Sequence, residues 1–525
     1  MRRVLVCVSV AALLVAGCGN EGGSGGAESA EVNPKQVSPE ALQAAVKDER
    51  ARKFYAARNW AAVWSDARAE ELTGALGEAV RHGLNVDGYL EKVKAAGSPA
   101  EREASLTVAA LDYAQTLAMG AVDPRKIFEV YEVPMNKVDV VGGLGQAIGG
   151  GDGAVKTWLA GLAPQDEEYK ALQEAYVQYR QRADAEQRAA IQPGDKIAPG
   201  DRDPRVPQIA QALQSNGYLA AAQPAPQGGE SAEGNAAAPA AKPSNIYTPQ
   251  MVQAVKKVQT DYGIEADGII GNSTLEALNT GAKERARILA VNLERRRWLE
   301  RTPPKTRIDV NTAAAELAYW RDGQVADRRR VVVGQPDWET PELGSPIFRL
   351  VANPDWVVPE SIAKEEILPK GAAYMAKENI VMKNGRLVQQ PGPKSALGLV
   401  KFDMANDHAI YLHDTPAKAL FASTNRHSSH GCARVEDALG FARMLADQNG
   451  VREQFEKALA TKEETPVSLP NRIPVRLLYH SAYLDGGRVV FRTDPYGWDD
   501  LLAKSLGFEG QIRPRVKTHV ADIGP

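Results

Sequence analysis

The fold and chemistry of this chain can be worked out from the side chains of one stretch, residues 408–435, HAIYLHDTPAKALFASTNRHSSHGCARV. Cys432 follows a histidine and a glycine, and His413 stands nineteen positions before it. A free thiol titrates near ~8.5, so little of it is thiolate at neutral pH, and an adjacent imidazole can take its proton. A strand followed by a returning loop would bring the two groups together. The segment therefore predicts a cysteine nucleophile with a histidine base.

The three cysteines of the 525-residue chain have different expected fates. Cys7 lies in an N-terminal segment that we expect to be removed, and Cys18 lies where a lipid would be attached. Cys432 then remains with no partner for a disulfide, which favours a reactive role. The alternative for any single pair of this kind is a buried structural cysteine beside a core histidine.

The N-terminus has the pattern of an export signal. Arg2 and Arg3 precede an apolar run, 4–15, that is too short to span a bilayer. Residues 15–18, Val-Ala-Gly-Cys, resemble a bacterial lipobox, which predicts a signal peptide over 1–18, lipidation of Cys18 and a flexible tether over 19–37. We expect an exported, periplasmic, lipid-anchored protein, and Gly19 favours the outer membrane by the enteric-type sorting rule. A plain signal peptide with an incidental cysteine is the alternative.

Composition indicates a globular, multidomain protein. Charged residues make up 25% of the chain and hydrophobic residues 44%, and the length allows two to four domains. A net charge of -3 gives no argument for a nucleic-acid partner. Residues 38–200 have helical periodicity, start at Ser38-Pro39 and show no catalytic constellation, so they are predicted to form a helical scaffold domain.

Residues 204–281 are predicted to form a small three-helix domain. Thr248-Pro249 starts one helix, and Ser273 to Glu276 fits a capping box before another. The run YTPQMVQAVKKVQTDYGIEADGIIGNSTLEALN resembles the type-one peptidoglycan-binding domain. This chain departs from that family by an Ala-, Pro- and Gly-rich insertion over 220–244, which we interpret as a disordered loop. A helical module that binds nothing is the alternative.

The periodicity changes to that of strands after a linking helix over 282–305. Short strands are predicted at Arg307–Val310, Arg330–Val333, Phe348–Val351 and His408–Leu412. A hairpin is predicted around Asp485-Gly486-Gly487. The expected fold class is multidomain α+β, with a β-rich, sandwich-like catalytic domain over 306–507 and a loose tail over 508–525.

The cysteine segment matches a family signature: a histidine, fifteen residues, then Ser or Thr, His, Gly, Cys, an apolar residue, and Asn or Arg. Here these are His413, followed after fifteen residues by Ser429, His430, Gly431, Cys432, Ala433 and Arg434. The segment resembles the YkuD-type L,D-transpeptidase catalytic domain. Flanking runs such as NPDWVVP and PGPKSALGLVKF are similar to the large, scaffold-bearing YcbB-like branch, in which Arg434 is expected and some members have Ser in place of His430.

The resemblance implies roles for these residues and a substrate. Cys432 is the expected nucleophile and His413 the general acid and base, while Ser429, His430, Gly431 and Arg434 support the loop and its oxyanion site. Residues 362–393 form a capping lobe by the same resemblance. The implied reaction is 3→3 cross-linking of peptidoglycan with release of terminal D-Ala, without cofactor or metal. The implied partners are stem peptides, glycan, the membrane through the lipid, and peptidoglycan synthases. Carbapenems are the implied inhibitors.

Several alternatives remain open from the sequence. The same fold could serve an L,D-carboxypeptidase, an endopeptidase, or an enzyme that attaches a lipoprotein to the wall. The protein could also belong to a different functional class, as a non-catalytic lipoprotein that binds peptidoglycan. A zinc site made from His427, His430 and Cys432 would lack a fourth ligand, and a papain-like protease would place its histidine after the cysteine.

Overall fold

The computed structural model describes residues 37–183, 189–220 and 244–508. The predicted signal peptide with Cys18, the tether up to residue 36, the interior of the 220–244 insertion and the tail from residue 509 lie outside these ranges. Within them, no helix is both long enough and apolar enough to cross a membrane.

The N-terminal region is helical, as predicted. Its first helix begins where expected, because the Ser38 hydroxyl accepts a hydrogen bond from the amide of Ala41 at 3.2 Å. The buried carboxylate of Glu103 accepts hydrogen bonds from the Val63 amide at 2.6 Å and the Tyr55 hydroxyl at 3.0 Å, which ties the longest helix to its neighbours. The elements are α1 (Pro39–Ala45), α2 (Glu49–Ala56), α3 (Asp66–Gly77), α4 (Asp87–Lys94), α5 (Pro99–Met119), β1 (Tyr131–Glu132), α6 (Val140–Gly149), α7 (Ala154–Leu162) and α8 (Glu167–Ala183).

The next region contains three short helices, α9 (Val206–Ser215), α10 (Pro249–Asp261) and α11 (Asn272–Asn279). Thr248 caps α10 as predicted, accepting a hydrogen bond from the Met251 amide at 3.4 Å. The capping box at Ser273–Glu276 was wrong. The helix begins at Asn272, directly after Gly271, because Ile270 is held in a bridge to Ile197 and the chain turns from that bridge into the helix.

One helix, α12 (Ala282–Trp298), packs against both the helical region and the C-terminal region and buries 14 of its residues. Two of its arginines form ion pairs with aspartates: Arg287 pairs with Asp500 and Arg295 with Asp499, each at 2.5 Å. Arg285 lies among four aromatic rings from the helical, three-helix and β-rich regions, with ring centroids 5.3–5.5 Å from its guanidinium. These rings belong to Tyr179, Tyr218, Tyr262 and Phe491.

The C-terminal region is built on one curled sheet, so the fold class is α+β as predicted. The strands of this region are β2 (Arg307–Asn311), β3 (Glu316–Arg321), β4 (Gln324–Gly334), β5 (Glu342–Gly344), β6 (Ile347–Ala352), β7 (Trp356–Val357), β8 (Ile380–Lys383), β9 (Arg386–Gln389), β10 (Val400–Met404), β11 (Leu412–His413), β12 (His427–Ser429), β13 (Ala433–Val435), β14 (Thr465–Ile473), β15 (Val475–Leu478), β16 (Ala482–Asp485) and β17 (Arg488–Phe491). Among the described residues, twelve strands join the curled sheet in the order β1-β5-β15-β2-β3-β4-β13-β11-β10-β6-β14, with β12 paired to β4.

The C-terminal region also contains five α-helices, α13 (Glu360–Ile362), α14 (Gly371–Lys377), α15 (Ala438–Gln448), α16 (Arg452–Ala460) and α17 (Trp498–Ser505). The buried face of α15 packs on the curled sheet.

Three of the four predicted strands are confirmed, and the fourth was largely wrong. Of the predicted His408–Leu412 strand, only Leu412 lies in a strand, the two-residue β11. The Asn406 side chain accepts hydrogen bonds from the amides of His408 and Ile410 at 3.0 and 3.1 Å, which folds the approach into a turn. His408 therefore lies in that turn, with its imidazole 2.9 Å from Glu132, rather than on a strand.

Residues 356–393, which include the lobe predicted over 362–393 and are called the capping lobe below, form a separate small unit that begins six residues earlier than predicted. Strands β7, β9 and β8 make a three-stranded sheet, and α13, α14 and a π-helical turn (Ala363–Ile367) pack against it around Trp356 and Ile367. Tyr411, two residues before His413, packs against this cluster from the large sheet. The lobe therefore contacts the segment that leads to His413.

Candidate active site

The sheet brings His413 and Cys432 close together. Strand β11 pairs with β13 in parallel, with Leu412 opposite Ala433 and His413 opposite Arg434. Cys432 immediately precedes β13 and lies beside Tyr411, whose carbonyl accepts a hydrogen bond from the Ala433 amide at 3.2 Å. Neighbouring strands are about 4.8 Å apart, and Cys432 lies two positions along the pair from Arg434, the residue opposite His413, so the predicted base and the predicted nucleophile lie diagonally across these two segments. Both are buried, with exposed fractions of 0% and 5%.

The orientation of His413 is fixed by its backbone. Its Nδ1 lies 2.5 Å from the carbonyl oxygen of Asp414. A carbonyl oxygen can only accept, so Nδ1 carries the hydrogen and Nε2 holds the lone pair. The Tyr411 ring packs against the imidazole at 5.7 Å between centroids. The imidazole is therefore held in the tautomer that can accept a proton at Nε2.

The thiol of Cys432 is strongly protonated in this arrangement. Burial raises its pKa to about 11, against the opposing effects of hydrogen bonds from Tyr411 and of the positive charges of Lys401 and Arg434. Its Sγ lies 3.7 Å from the Ala409 carbonyl oxygen. Burial therefore opposes ionisation of the thiol, which calls for a base during attack.

Tyr411 is a site residue that sequence reasoning missed. Burial raises the pKa of its phenol well above the usual value, and the neighbouring Cys432 raises it further. Lys401 Nζ lies 4.3 Å from the centroid of its ring. Tyr411 and His413 are two positions apart in an extended segment, where side chains at i and i+2 point to one face. That spacing, in the run YLH, was the signal available in the sequence.

Ser429 and Gly431 shape the loop that carries the cysteine. The buried Ser429 hydroxyl donates to the Cys432 carbonyl oxygen at 2.6 Å and accepts from the Gly431 amide at 3.3 Å. Gly431 has φ +110°, a conformation that residues with a Cβ rarely adopt. Its carbonyl oxygen accepts a hydrogen bond from the Thr340 hydroxyl at 2.7 Å. The loop is thus held from both sides, and the Gly431 amide already has an acceptor.

His430 contacts the capping lobe. Its Nε2 lies 2.7 Å from Oε1 of Glu366, and its ring packs edge-on to Trp338 at 5.1 Å between centroids. Arg434 is fully buried on β13, and its positive charge lowers the pKa of the Cys432 thiol. His430 therefore links the cysteine loop to the capping lobe, whereas Arg434 acts on the Cys432 thiol through its positive charge.

The histidines near Cys432 do not converge on a metal. His427 directs Nε2 to the Thr312 carbonyl oxygen at 2.8 Å, while His430 is directed to Glu366. In the described ranges, no group of three or more His, Cys, Asp or Glu side chains could hold a metal ion. Burial lowers the pKa of His427 to about 4, so this imidazole is neutral and structural at pH 7.

Three parts of the chain match known domain families. Residues 305–468 match the YkuD family, described as the L,D-transpeptidase catalytic domain. Residues 49–175 match a scaffold domain, and residues 202–278 match the family described as "Putative peptidoglycan binding domain".

Comparison with individual proteins agrees with the catalytic match. A protein of Haemophilus influenzae named "Putative L,D-transpeptidase" is 34% identical over 216 residues, which cover 37% of this chain and 44% of that relative. The chain thus aligns with less than half of the length of this relative.

Two solved L,D-transpeptidases were also compared. The structure from Xylanimonas cellulosilytica is 14% identical, with 55% of this chain and 98% of that chain covered and a TM-score of 0.18. The structure from Stackebrandtia nassauensis is 13% identical, with 56% and 99% covered and a TM-score of 0.20. The domain matches and the curated relative show that this chain carries a YkuD-family L,D-transpeptidase catalytic domain together with scaffold and peptidoglycan-binding domains.

Proposed function

We propose that this protein forms 3→3 cross-links in peptidoglycan by acyl transfer through Cys432. The observation that carries the proposal is the pairing of β11 with β13, which sets an oriented imidazole beside the sole cysteine of the described residues. The YkuD match supplies the reaction class. The same proposal includes the domain boundaries at residues 204, 282 and 306 and the predicted capping lobe over 362–393.

The first step acylates the enzyme. Nε2 of His413 takes the proton of Cys432 as Sγ attacks the peptide carbonyl between the L-centre of meso-diaminopimelate and the terminal D-Ala of a donor stem. Because burial opposes ionisation of the thiol, the attack depends on this base. The C–N bond then breaks, D-Ala leaves with the proton from His413, and a thioester remains on Cys432.

The second step transfers the acyl group. The side-chain amine of diaminopimelate on a second stem attacks the thioester carbonyl, and His413 accepts a proton from that amine. The C–S bond breaks, and the sulfur regains a proton from the imidazolium. A new amide joins the two stems, and the enzyme returns to its starting state.

The backbone amide of Cys432 is the better candidate for the oxyanion donor. The Gly431 amide already donates to the Ser429 hydroxyl. The Cys432 amide has no acceptor within the described residues. The hydroxyl of Tyr411 is a second donor beside the thiol. A preorganised donor of this kind is worth about 10²- to 10³-fold in rate.

The domain content supports peptidoglycan as the substrate and a periplasmic or cell-wall location. A peptidoglycan-binding module is docked on the catalytic region: Arg488 pairs with Asp261 at 2.8 Å, and Tyr262 stacks on Phe491 at 6.0 Å between centroids. The docked module would hold glycan strands near the catalytic site. Lipid attachment at Cys18, inhibition by carbapenems and association with peptidoglycan synthases remain part of the proposal.

Hydrolysis of the same thioester is the main rival activity. Water as the acceptor would give an L,D-carboxypeptidase or endopeptidase, and a lysine amine would attach a lipoprotein to the wall. The burial of both catalytic groups, at 0% and 5% exposure, favours an acceptor that enters in place of water.

Product analysis tests the proposal. The protein and its Cys432→Ala variant are incubated with disaccharide tetrapeptides, and the products are identified by mass spectrometry. We expect 3→3 dimers and free D-Ala from the unmodified protein and neither from the variant, whose circular dichroism should be unchanged. Dimer formation by Cys432→Ala would refute the cysteine mechanism. Tripeptide alone from the unmodified protein would assign it as a carboxypeptidase.

A further inference from the structure

A hydrogen-bonded pair links the capping lobe to the loop that carries the nucleophile. Glu366 Oε1 lies 2.7 Å from Nε2 of His430, which stands two residues before Cys432. The His430 side chain is 8% exposed and that of Glu366 is 30% exposed, so the contact is largely shielded from solvent. A carboxylate–imidazole contact in such a place is stronger than a surface ion pair.

Glu366 reaches His430 because of an unusual helical turn. Residues Ala363–Ile367 form a π-helical turn, which is wider than an α-helical turn and is found often at functional sites. Ile362, Ala363 and Ile367 are buried in the lobe, while Lys364 and Glu365 are exposed. Glu366 stands at the boundary between these two faces, which directs its carboxylate at the cysteine loop.

The lobe also covers the other side of the catalytic pair. Tyr411, beside the thiol and two residues before His413, packs against the apolar cluster of the lobe. The lobe therefore touches a neighbour of each catalytic residue: Tyr411 on one side and His430 on the other. With these contacts formed, His413 and Cys432 are almost inaccessible to water.

We propose that Glu366 is a positioning residue that holds the capping lobe closed on the cysteine loop and thereby favours an amine over water as the acceptor. The inference rests on the proposed acyl-transfer function. It differs from that function in assigning acceptor choice to one carboxylate that touches neither the thiol nor the general base.

The competing reaction is a simple hydrolysis. Water adds to the thioester carbonyl, the C–S bond breaks, and the acyl group leaves as a carboxylic acid. One proton of the water goes through His413 to the sulfur, and the hydroxyl stays on the product. Both reactions start from the same acyl-enzyme, so their ratio depends on which acceptor is present when the thioester forms.

The test compares the product ratio of full-length variants. Unmodified protein, Glu366→Ala, Glu366→Gln and Glu365→Ala are given a disaccharide tetrapeptide, and 3→3 dimer and hydrolysed tripeptide are quantified by mass spectrometry. We expect Glu366→Ala to raise the ratio of tripeptide to dimer about tenfold, as for loss of one hydrogen bond to a charged group. Glu366→Gln retains an oxygen acceptor and should fall between the two. Glu365→Ala removes the adjacent, exposed carboxylate and should match the unmodified protein.

The ratio does not depend on how much of a variant is folded, because both products come from one acyl-enzyme. His430→Ala combined with Glu366→Ala should show no larger effect than either change alone. An unchanged ratio in Glu366→Ala, or an equal change in Glu365→Ala, would overturn the inference. Acylation of each variant by a carbapenem is measured in parallel: failure of the unmodified protein to be acylated would overturn the proposed function itself.

Discussion

At the scale of single residues, the chemistry depends on side chains that hold the thiol and the imidazole in place. The tautomer of His413 is set by the Asp414 carbonyl, and the thiol is surrounded by Tyr411 and the charges of Lys401 and Arg434. These neighbours oppose the effect of burial on the thiol without cancelling it. Removing one of them should therefore shift the pH at which the nucleophile reacts.

Tyr411→Phe should slow acylation of Cys432 and move it to higher pH. The phenol lowers the pKa of the thiol by hydrogen bonding, so its loss raises that pKa and the thiolate is formed at higher pH. We expect the acylation rate at pH 7 to fall by about 10- to 100-fold, in line with the loss of a hydrogen bond to a charged group. The pH dependence of carbapenem acylation, followed by intact-protein mass spectrometry, measures both effects. A rate and pH profile equal to those of the unmodified protein would contradict this role.

Gly431→Ala should reduce activity with a modest loss of stability. A Cβ at this position would meet Ile410 Cδ1 at 3.5 Å, an ordinary contact, so the cost comes from the backbone at φ +110°. Such strain costs about 1–3 kcal/mol, which the loop can relieve by moving Cys432. Acylation rate and melting temperature are measured together. Full activity with unchanged melting temperature would show that the loop does not need this conformation.

At the scale of elements, the sequence allowed much of the site to be predicted because its residues are close in the chain. His413, Ser429, Gly431 and Cys432 lie within one segment, and a cysteine beside a histidine and a glycine has few chemical interpretations. Periodicity located β2, β4 and β6, and the Thr248-Pro249 pair located the start of α10. The YkuD match agrees with the predicted family.

The contacts that could not be predicted join distant segments or depend on competing local bonds. Glu366 meets His430 across 64 positions, and the π-helical turn that aims it has no clear sequence signal. The turn at His408 forms because the Asn406 side chain captures amides that a strand would have used. The alternation of apolar and polar residues carries no information about this competition between side chain and strand partner for the backbone amides.

At the scale of the whole molecule, α12 and the aromatic rings around Arg285 join the three regions. Arg285 donates to the Tyr179 hydroxyl at 2.9 Å and to the Thr280 carbonyl at 3.2 Å. This buried cation contacts rings from all three regions, so one side chain contributes to holding all of them together. Loss of that side chain should therefore affect the whole protein rather than one domain.

Arg285→Ala should destabilise the protein by about 3 kcal/mol, because it leaves a cavity and removes buried hydrogen bonds. Lys283→Ala, on an exposed position of the same helix, should have no measurable effect. Chemical denaturation followed by tryptophan fluorescence measures both. We expect the single transition to separate into steps in Arg285→Ala as the regions lose their coupling. Equal stability of the two variants would show that the ring cluster does not hold the regions together.

Acid should destabilise the folded protein through its buried histidines. Burial lowers the pKa of His427 to about 4 and that of His480 well below its usual value. In the unfolded chain these groups titrate near ~6.5, so between about pH 6.5 and 4 the unfolded state binds more protons. The free energy of unfolding should therefore fall with decreasing pH in this window, by up to about 1.4 kcal/mol per pH unit for each histidine. His427→Gln should lessen the fall, and an identical pH dependence in that variant would contradict the assignment.

The central claim is that His413 removes the proton from Cys432 so that the sulfur can carry the acyl group of a stem peptide. Time-resolved mass spectrometry of the full-length protein with a disaccharide tetrapeptide measures this directly, with peptide mapping to locate the adduct. We predict an adduct on Cys432 with the mass of the stem less D-Ala, formed at least about 100-fold more slowly in His413→Ala. An adduct on another residue, or formation at an equal rate without the imidazole, would contradict the account.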